Sequence, residues 1–188
     1  AEWRMHGKPT VLGAASGCIA GLVSITPAAG FVSAMSAIVI GLLGGVICFF
    51  SVSVVKAKLG YDDSLDAFGV HGVGGTWGAL ATGLFASKAV NEAGADGLLF
   101  GNPAQFVSQL IGVIVSCLFA VVMTFLIIKF IAFFVTIRVD ESQELVGLDI
   151  SEHGERGYAY QALLSGSPVA YAAPSLPARI PAPETSPA

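Results

Sequence analysis

The chain has 188 residues, of which 54% are hydrophobic and only 12% charged, and its mean hydropathy is +0.77. A soluble domain is about a quarter charged, so the missing charge points to an apolar solvent. The net charge of −4 excludes the basic footprint of a nucleic-acid binder, and Cys18, Cys48 and Cys117 stand alone with no CxxC pair, which argues against a disulfide framework or a zinc cluster.

Residues 1–10 are a polar connector carrying Arg4, His6 and Lys8. Beyond it no Asp, Glu, Lys or Arg occurs between Lys8 and Lys56, between Asp66 and Lys88, or between Asp96 and Lys129. A spanning helix needs roughly 20 apolar residues, so these gaps hold four helices once Pro27 and Gly30 split the first. The expected helices cover 11–26, 31–56, 64–85 and 103–138, the last long enough to tilt or to leave the bilayer. The fold class is therefore all-α, a polytopic helical membrane protein. Residues 1–138 form its transmembrane region and 139–160 an ordered or partner-ordered tail. Residues 161–188, with six of the nine prolines, form a disordered Pro/Ala/Ser-rich end. The chain opens on Ala1 inside a loop-like sequence, which points to an N-terminal part lying outside it.

Lysine and arginine set the orientation. With Arg4 and Lys8 in the cytoplasm, Lys56, Lys58 and Arg138 are also inside, and only Lys88 is outside, opposed by Glu92 and Asp96. The tail is then cytoplasmic. Glycines recur every fourth residue at 13, 17 and 21, at 41 and 45, and at 74 and 78. In lipid no water-driven force joins helices, so such small residues serve close packing.

His71 is the most informative single residue. It lies about two turns inside the third helix, where an ionisable group is costly unless it faces the bundle interior or a pathway. Neutral imidazole offers one donor and one acceptor, which suits a small polar molecule crossing an apolar region; a structural histidine bonded to a neighbouring helix fits the position equally. Asp63-Ser64-Leu65-Asp66 has the form of a capping box at the start of that helix, and this structural role is the default. Thr26 precedes the proline break, where its hydroxyl either caps free carbonyls or meets a polar solute. No nucleophile–base pair, phosphate loop or metal cluster is visible, so neither an enzyme nor a bound cofactor is expected. His153 and Glu155 are too few for a metal site.

Three motifs are specific. They are Gly7-Lys8-Pro9-Thr10-Val11-Leu12-Gly13 with its continuation through Ala28, Asp62-Asp63-Ser64-Leu65-Asp66-Ala67-Phe68-Gly69-Val70-His71-Gly72-Val73-Gly74-Gly75, and Glu144-Leu145-Val146-Gly147-Leu148-Asp149-Ile150-Ser151-Glu152-His153-Gly154-Glu155. Together they resemble the ammonium transporter (Amt/Mep/Rh) family over residues 1–160, in its bacterial Amt-type branch. The resemblance implies a homotrimer of eleven-helix subunits in the cell membrane, of which this chain supplies the last four helices. It further implies that ammonium is recruited and deprotonated at the outer side and that ammonia crosses an apolar pore lined by two histidines. On that pattern His71 is the second pore histidine, Thr26 the outer-vestibule threonine and Asp63 the structural aspartate, with Ile19 and Ala67 lining the pore. The same pattern makes residues around Gly147, Leu148, Asp149, His153, Gly154 and Glu155 a regulatory tail where PII signalling proteins dock. The partner histidine belongs to helices outside this sequence, so the segment alone is expected to conduct nothing. The competing readings are an ammonium sensor, a regulatory or truncated remnant without transport activity, a Rhesus-like gas channel and an intramembrane enzyme.

Overall fold

The structure, a computed structural model, describes residues 1–155 and 157. Arg156 and 158–160 of the expected tail, and the whole Pro-rich end 161–188, lie outside the described residues. Among the described residues all regular structure is helical, with no strand, and the chain divides into two units, Ala1–Phe125 and Leu126–Ala188.

Unit one begins with a short helix, α1 (Glu2–His6), closed by Gly7 at φ 75°. Helix α2 (Val11–Ile25) starts where Thr10 caps it, its Oγ1 accepting from Gly13 N–H at 2.9 Å. Glu2 holds that cap in turn: its carboxylate accepts from the Thr10 N–H at 3.0 Å and the Thr10 hydroxyl at 2.8 Å. Pro27, with no N–H to give, ends the α geometry in a 3-10 turn, Thr26–Ala28. Gly30, at φ 82°, then helps the chain reverse. Helix α3 (Ala34–Phe50) starts three residues later than the apolar pattern suggests, because Ser33 caps it by accepting from Ser36 N–H at 3.2 Å. It continues through a π turn (Ser51–Val55) into α4 (Lys56–Leu59), which stops at Gly60 in the left-handed conformation. A second π turn (Phe68–Gly72) opens α5 (Val73–Phe85). Helix α6 (Pro103–Ala132) follows the loop after α5 and ends before Arg138; the β-branched residues Val135, Thr136, Ile137 and Val139 beyond it are poor helix formers.

Helices α2, α3 and α5 pack around two small apolar clusters. One joins Ala28, Val32, Ile40 and Ala81, with Trp77 and Phe85 against it; the other joins Ala20, Cys48 and Val70. The seams are closed by glycine, but not by every glycine that the four-residue spacing singles out. A Cβ on Gly78 would meet the Ser24 carbonyl and Pro27, one on Gly74 would lie 3.0 Å from Cys48 Sγ, and one on Gly44 would meet the Ser24 side chain. Gly17 and Gly45 meet no other described residue within 4 Å. The seam in α3 therefore runs through Gly44, one position from Gly45, because Ser24 projects from α2 onto that face. Trp77 Nε1 donates to the Ile40 carbonyl at 3.0 Å and fastens α5 to α3.

Three stretches, Val11–Ala28, Ala34–Leu59 and Pro103–Ala132, are long and apolar enough to cross a membrane. The expected third span, the second π turn with α5, is not one of them. It is rich in glycine and buries Gly74, Gly78, Ala81, Thr82 and Gly83 against its neighbours. Large apolar side chains such as Leu22, Leu42 and Leu118 stay exposed, which hydrocarbon tolerates and water does not.

In unit two, Arg138 pairs in a two-pronged bridge with Glu144, Nε to Oε1 at 2.9 Å and Nη2 to Oε2 at 3.2 Å. Helix α7 (Glu141–Val146) is entered at Asp140, whose N–H donates to Gln143 Oε1 at 3.1 Å. Gly147, at φ 100° and ψ 133°, breaks it from α8 (Leu148–Ser151).

Candidate functional site

The surroundings of His71 are built from the chain just before it. Residues 61–66 are not helical, so the capping box expected at 64 is replaced by a longer-range cap. Asp63 Oδ2 accepts from Phe68 N–H at 3.0 Å and from Gly69 N–H at 3.1 Å. The expected role of Asp63 as a helix-start cap is thus seen, but three to four residues further along. Asp66 is not the third residue of a helix; it stands at φ 54°, and its carboxylate receives Lys56 Nζ at 2.7 Å. The same ammonium donates to the Asp63 carbonyl at 2.6 Å.

From this anchor the backbone enters the π turn Phe68–Gly72 that carries His71. Gly69 and Val70 are buried: a Cβ on Gly69 would lie 2.7 Å from Val52 Cγ2, and Cys48 Sγ–H donates to the Val70 carbonyl at 3.5 Å. His71 itself is exposed on this chain. Ala67, immediately before the turn, is also exposed. On α2, Ala20 joins Val70 in the second cluster while its neighbour Ile19 is 46% exposed. Ile19 and His71 are thus each one residue from a packed position of the same cluster, on side chains this chain leaves uncovered. Thr26 lies at the far end of α2, its hydroxyl donating to the Leu22 carbonyl at 2.7 Å. That bond is the capping alternative; the oxygen keeps acceptor capacity.

The tail residues form a local motif within unit two. The Asp149 carboxylate accepts from Ile150 N–H at 3.0 Å and Gly157 N–H at 2.8 Å, and its carbonyl accepts from Glu155 N–H at 2.9 Å. Gly154 N–H donates to the Ile150 carbonyl at 3.1 Å, with Gly154 at φ 66°. Leu148 starts α8 and His153 lies in the turn after it. The 12-residue run from Glu144 to Glu155 is thus held together by Asp149 and by two glycines in conformations that other residues resist.

Lys56 and Cys48 were not singled out by their sequence context. Lys56 reads as an inside charge at a helix end and Cys48 as a small buried hydrophobe; nothing local signals that both bond to the segment around His71. Among the described residues no group of three or more His, Cys, Asp or Glu is arranged to hold a metal ion.

The profile of the Ammonium Transporter Family matches residues 1–158. The chain belongs to the ammonium transporter family. It is 52% identical over 157 residues to an ammonium transporter of Bacillus subtilis (strain 168), covering 84% of this chain and 39% of that protein. It is 50% identical over 157 residues to one of Aquifex aeolicus (strain VF5), covering 84% of this chain and 36% of that protein. Among solved structures it is similar to Saccharomyces cerevisiae Mep2, with a TM-score of 0.62 and 40% identity over 65% of this chain and 29% of that one. Candida albicans Mep2 gives a TM-score of 0.66 and 35% identity over 76% of this chain and 32% of that one. The chain spans about two fifths of the length of these curated transporters. As an ammonium transporter family chain it is a multi-pass helical membrane protein, in a family of transporters rather than enzymes.

Proposed function

We propose that this chain supplies part of the conducting path of an ammonium transporter, with His71 as one of two pore histidines. The observation that carries this reading is the placement of His71: it sits on a π turn that buries Gly69 and Val70 and has its first N–H groups capped by Asp63, inside the matched family segment, with its own side chain left uncovered. A neutral imidazole there accepts one hydrogen bond and donates another, so it can pass ammonia along an apolar path without holding an ion. In this reading ammonium is recruited and deprotonated at the outer side, near Thr26. Ammonia then moves past Ile19, Ala67 and His71, while Asp63 keeps the backbone of that path in place. The remaining pore groups come from helices beyond this segment. The second π turn with α5 is the third of four spans, and Arg4, Lys8, Lys56, Lys58 and Arg138 face the cytoplasm in a cell-membrane homotrimer.

Residues 138–160 are the regulatory tail of the same reading, and a PII signalling protein is its partner. Deleting them from a full-length transporter is expected to abolish PII-dependent inhibition while transport itself persists; inhibition that persists unchanged contradicts the assignment. The pore assignment is tested by growth of cells that depend on a full-length transporter carrying residues 1–158. His71→Ala is expected to abolish growth on limiting ammonium with the protein still at the membrane. Undiminished growth removes His71 from the path.

A further inference from the structure

Two π turns lie against each other in unit one, Ser51–Val55 and Phe68–Gly72. A π turn carries one residue more than the α-helix it interrupts, is rare, and is frequent at functional sites. The second rests on the first: a Cβ on Gly69 would lie 2.7 Å from Val52 Cγ2 and 3.7 Å from Val52 Cα. Their common anchor is Lys56, the first residue after the first π turn. Its ammonium grips the Asp63 carbonyl at 2.6 Å and the Asp66 carboxylate at 2.7 Å. Asp66 is the one non-glycine residue with positive φ among the described residues, a conformation that its β-carbon disfavours. Such strain persists where surrounding contacts over-determine it. From Asp66 the carbonyl accepts the Val70 N–H at 2.9 Å, and from Asp63 the carboxylate accepts the Phe68 and Gly69 N–H groups. The N–H groups that open the His71 turn therefore all end on two aspartates held by one lysine.

We infer that Lys56 is a positioning residue for His71: by holding Asp66 left-handed and the Asp63 carbonyl in place, it keeps the extra residue in the Phe68–Gly72 turn and so fixes the direction His71 faces. One helical residue is about 100° of rotation, so closing the π turn to α geometry turns His71 away from its present face relative to Asp63. The inference rests on the pore reading of His71 proposed above.

The test is a full-length ammonium transporter carrying residues 1–158, reconstituted at known amount per vesicle. The readout is the ratio of ammonium to methylammonium transport, which separates a misplaced pore group from loss of protein. Lys56→Met keeps the stem and removes the charge; it is expected to change the ratio on the order of tenfold. Lys56→Arg is expected to lie closer to the parent. Asp66→Ala, which removes the acceptor and disfavours the left-handed backbone, is expected to change the ratio in the same direction, and the double variant no more than either single one, as two members of one interaction do. A ratio that stays at the parent value while both rates follow the amount of protein overturns the inference. Should Lys56→Met fail to reach the membrane, Asp66→Ala makes the same test, because Lys56 keeps its bond to the Asp63 carbonyl. His71→Ala run alongside separates the two claims. If it leaves both rates and their ratio unchanged, the pore reading has failed. If it alters them and the Lys56 and Asp66 variants do not, only the positioning role has failed.

Discussion

At the scale of single residues the fold depends on absent side chains as much as present ones. Gly78 is the clearest case: a Cβ there would run into the Ser24 carbonyl and lie 2.9 Å from Pro27 Cδ. Neither partner is the loose end of a side chain, so α5 must move from α2. Gly78→Ala is expected to destabilise the helix packing by about 1–3 kcal/mol, read as a lowered unfolding temperature of the intact transporter in detergent. Gly17→Ala, at a position with nothing within 4 Å on this chain, is the contrasting substitution. The N-terminal connector carries a pH dependence. The Thr10 backbone N–H, then the Thr10 hydroxyl, hold the Glu2 carboxyl below its ordinary pKa of 4.5. A carboxylate whose folded pKa is lowered adds stability above the ordinary value and loses it as pH falls through the lowered one. Protection of the Thr10 amide against hydrogen exchange is therefore expected to fade only below about pH 4.5, and Glu2→Gln to remove that step. The same residues show what a sequence reveals at this scale. The ability of Asp63 to cap and the isolation of the cysteines follow from residue type and position. The left-handed Asp66 does not, because aspartate enters that conformation only occasionally and nothing local marks this one. Lys56 was legible as a charge and not as a partner, since its contacts lie seven and ten residues away across a reversal.

At the scale of elements, the helices were legible because hydrocarbon leaves so few ways to arrange an apolar chain. Gaps in charge gave their approximate extents, and Pro27 gave the break between the first two. Their ends shifted for local reasons: Ser33 delays α3, the non-helical run before Ala67 delays the helix that carries His71, and the β-branched residues after Phe134 end α6 early. The π turns were not legible. They arise where two neighbouring helices dock through Gly69 and Val52, a tertiary condition with no mark in either local sequence. Glycine spacing likewise identified the right kind of seam in α3 but chose Gly45 rather than Gly44, since the face is decided by where Ser24 points. The tail motif makes its own prediction. Gly147 stands at φ 100° and ψ 133°, where a Cβ would also lie 2.7 Å from Asp149 Oδ1. Gly147→Ala is expected to cost the motif about 1–3 kcal/mol and to speed proteolytic cleavage between α7 and α8, with the transmembrane helices unaffected. Cleavage at the parent rate would mean that the motif does not depend on that backbone conformation.

At the scale of the whole molecule, the chain presents large apolar side chains on nearly every helix and buries few of them, the economy of helices in an apolar solvent. Helix α6, with 30 residues, is about 45 Å long against a hydrocarbon core of about 30 Å, so it crosses at a tilt or projects beyond the membrane. Membership of the ammonium transporter family accounts for this surface, and the likeness to the two Mep2 structures carries the same architecture. What the family pattern adds to physics is the solute proposed above; composition and periodicity alone reached only a membrane bundle with an unexplained histidine. The central claim is that His71 lies on the route that solute takes. Its most direct test is ammonium-evoked current in proteoliposomes holding a full-length transporter with residues 1–158 of this chain, compared with the His71→Ala variant at equal protein. The His71→Ala variant is expected to carry far less ammonium current than the parent. Equal ammonium currents in the two proteins would contradict it.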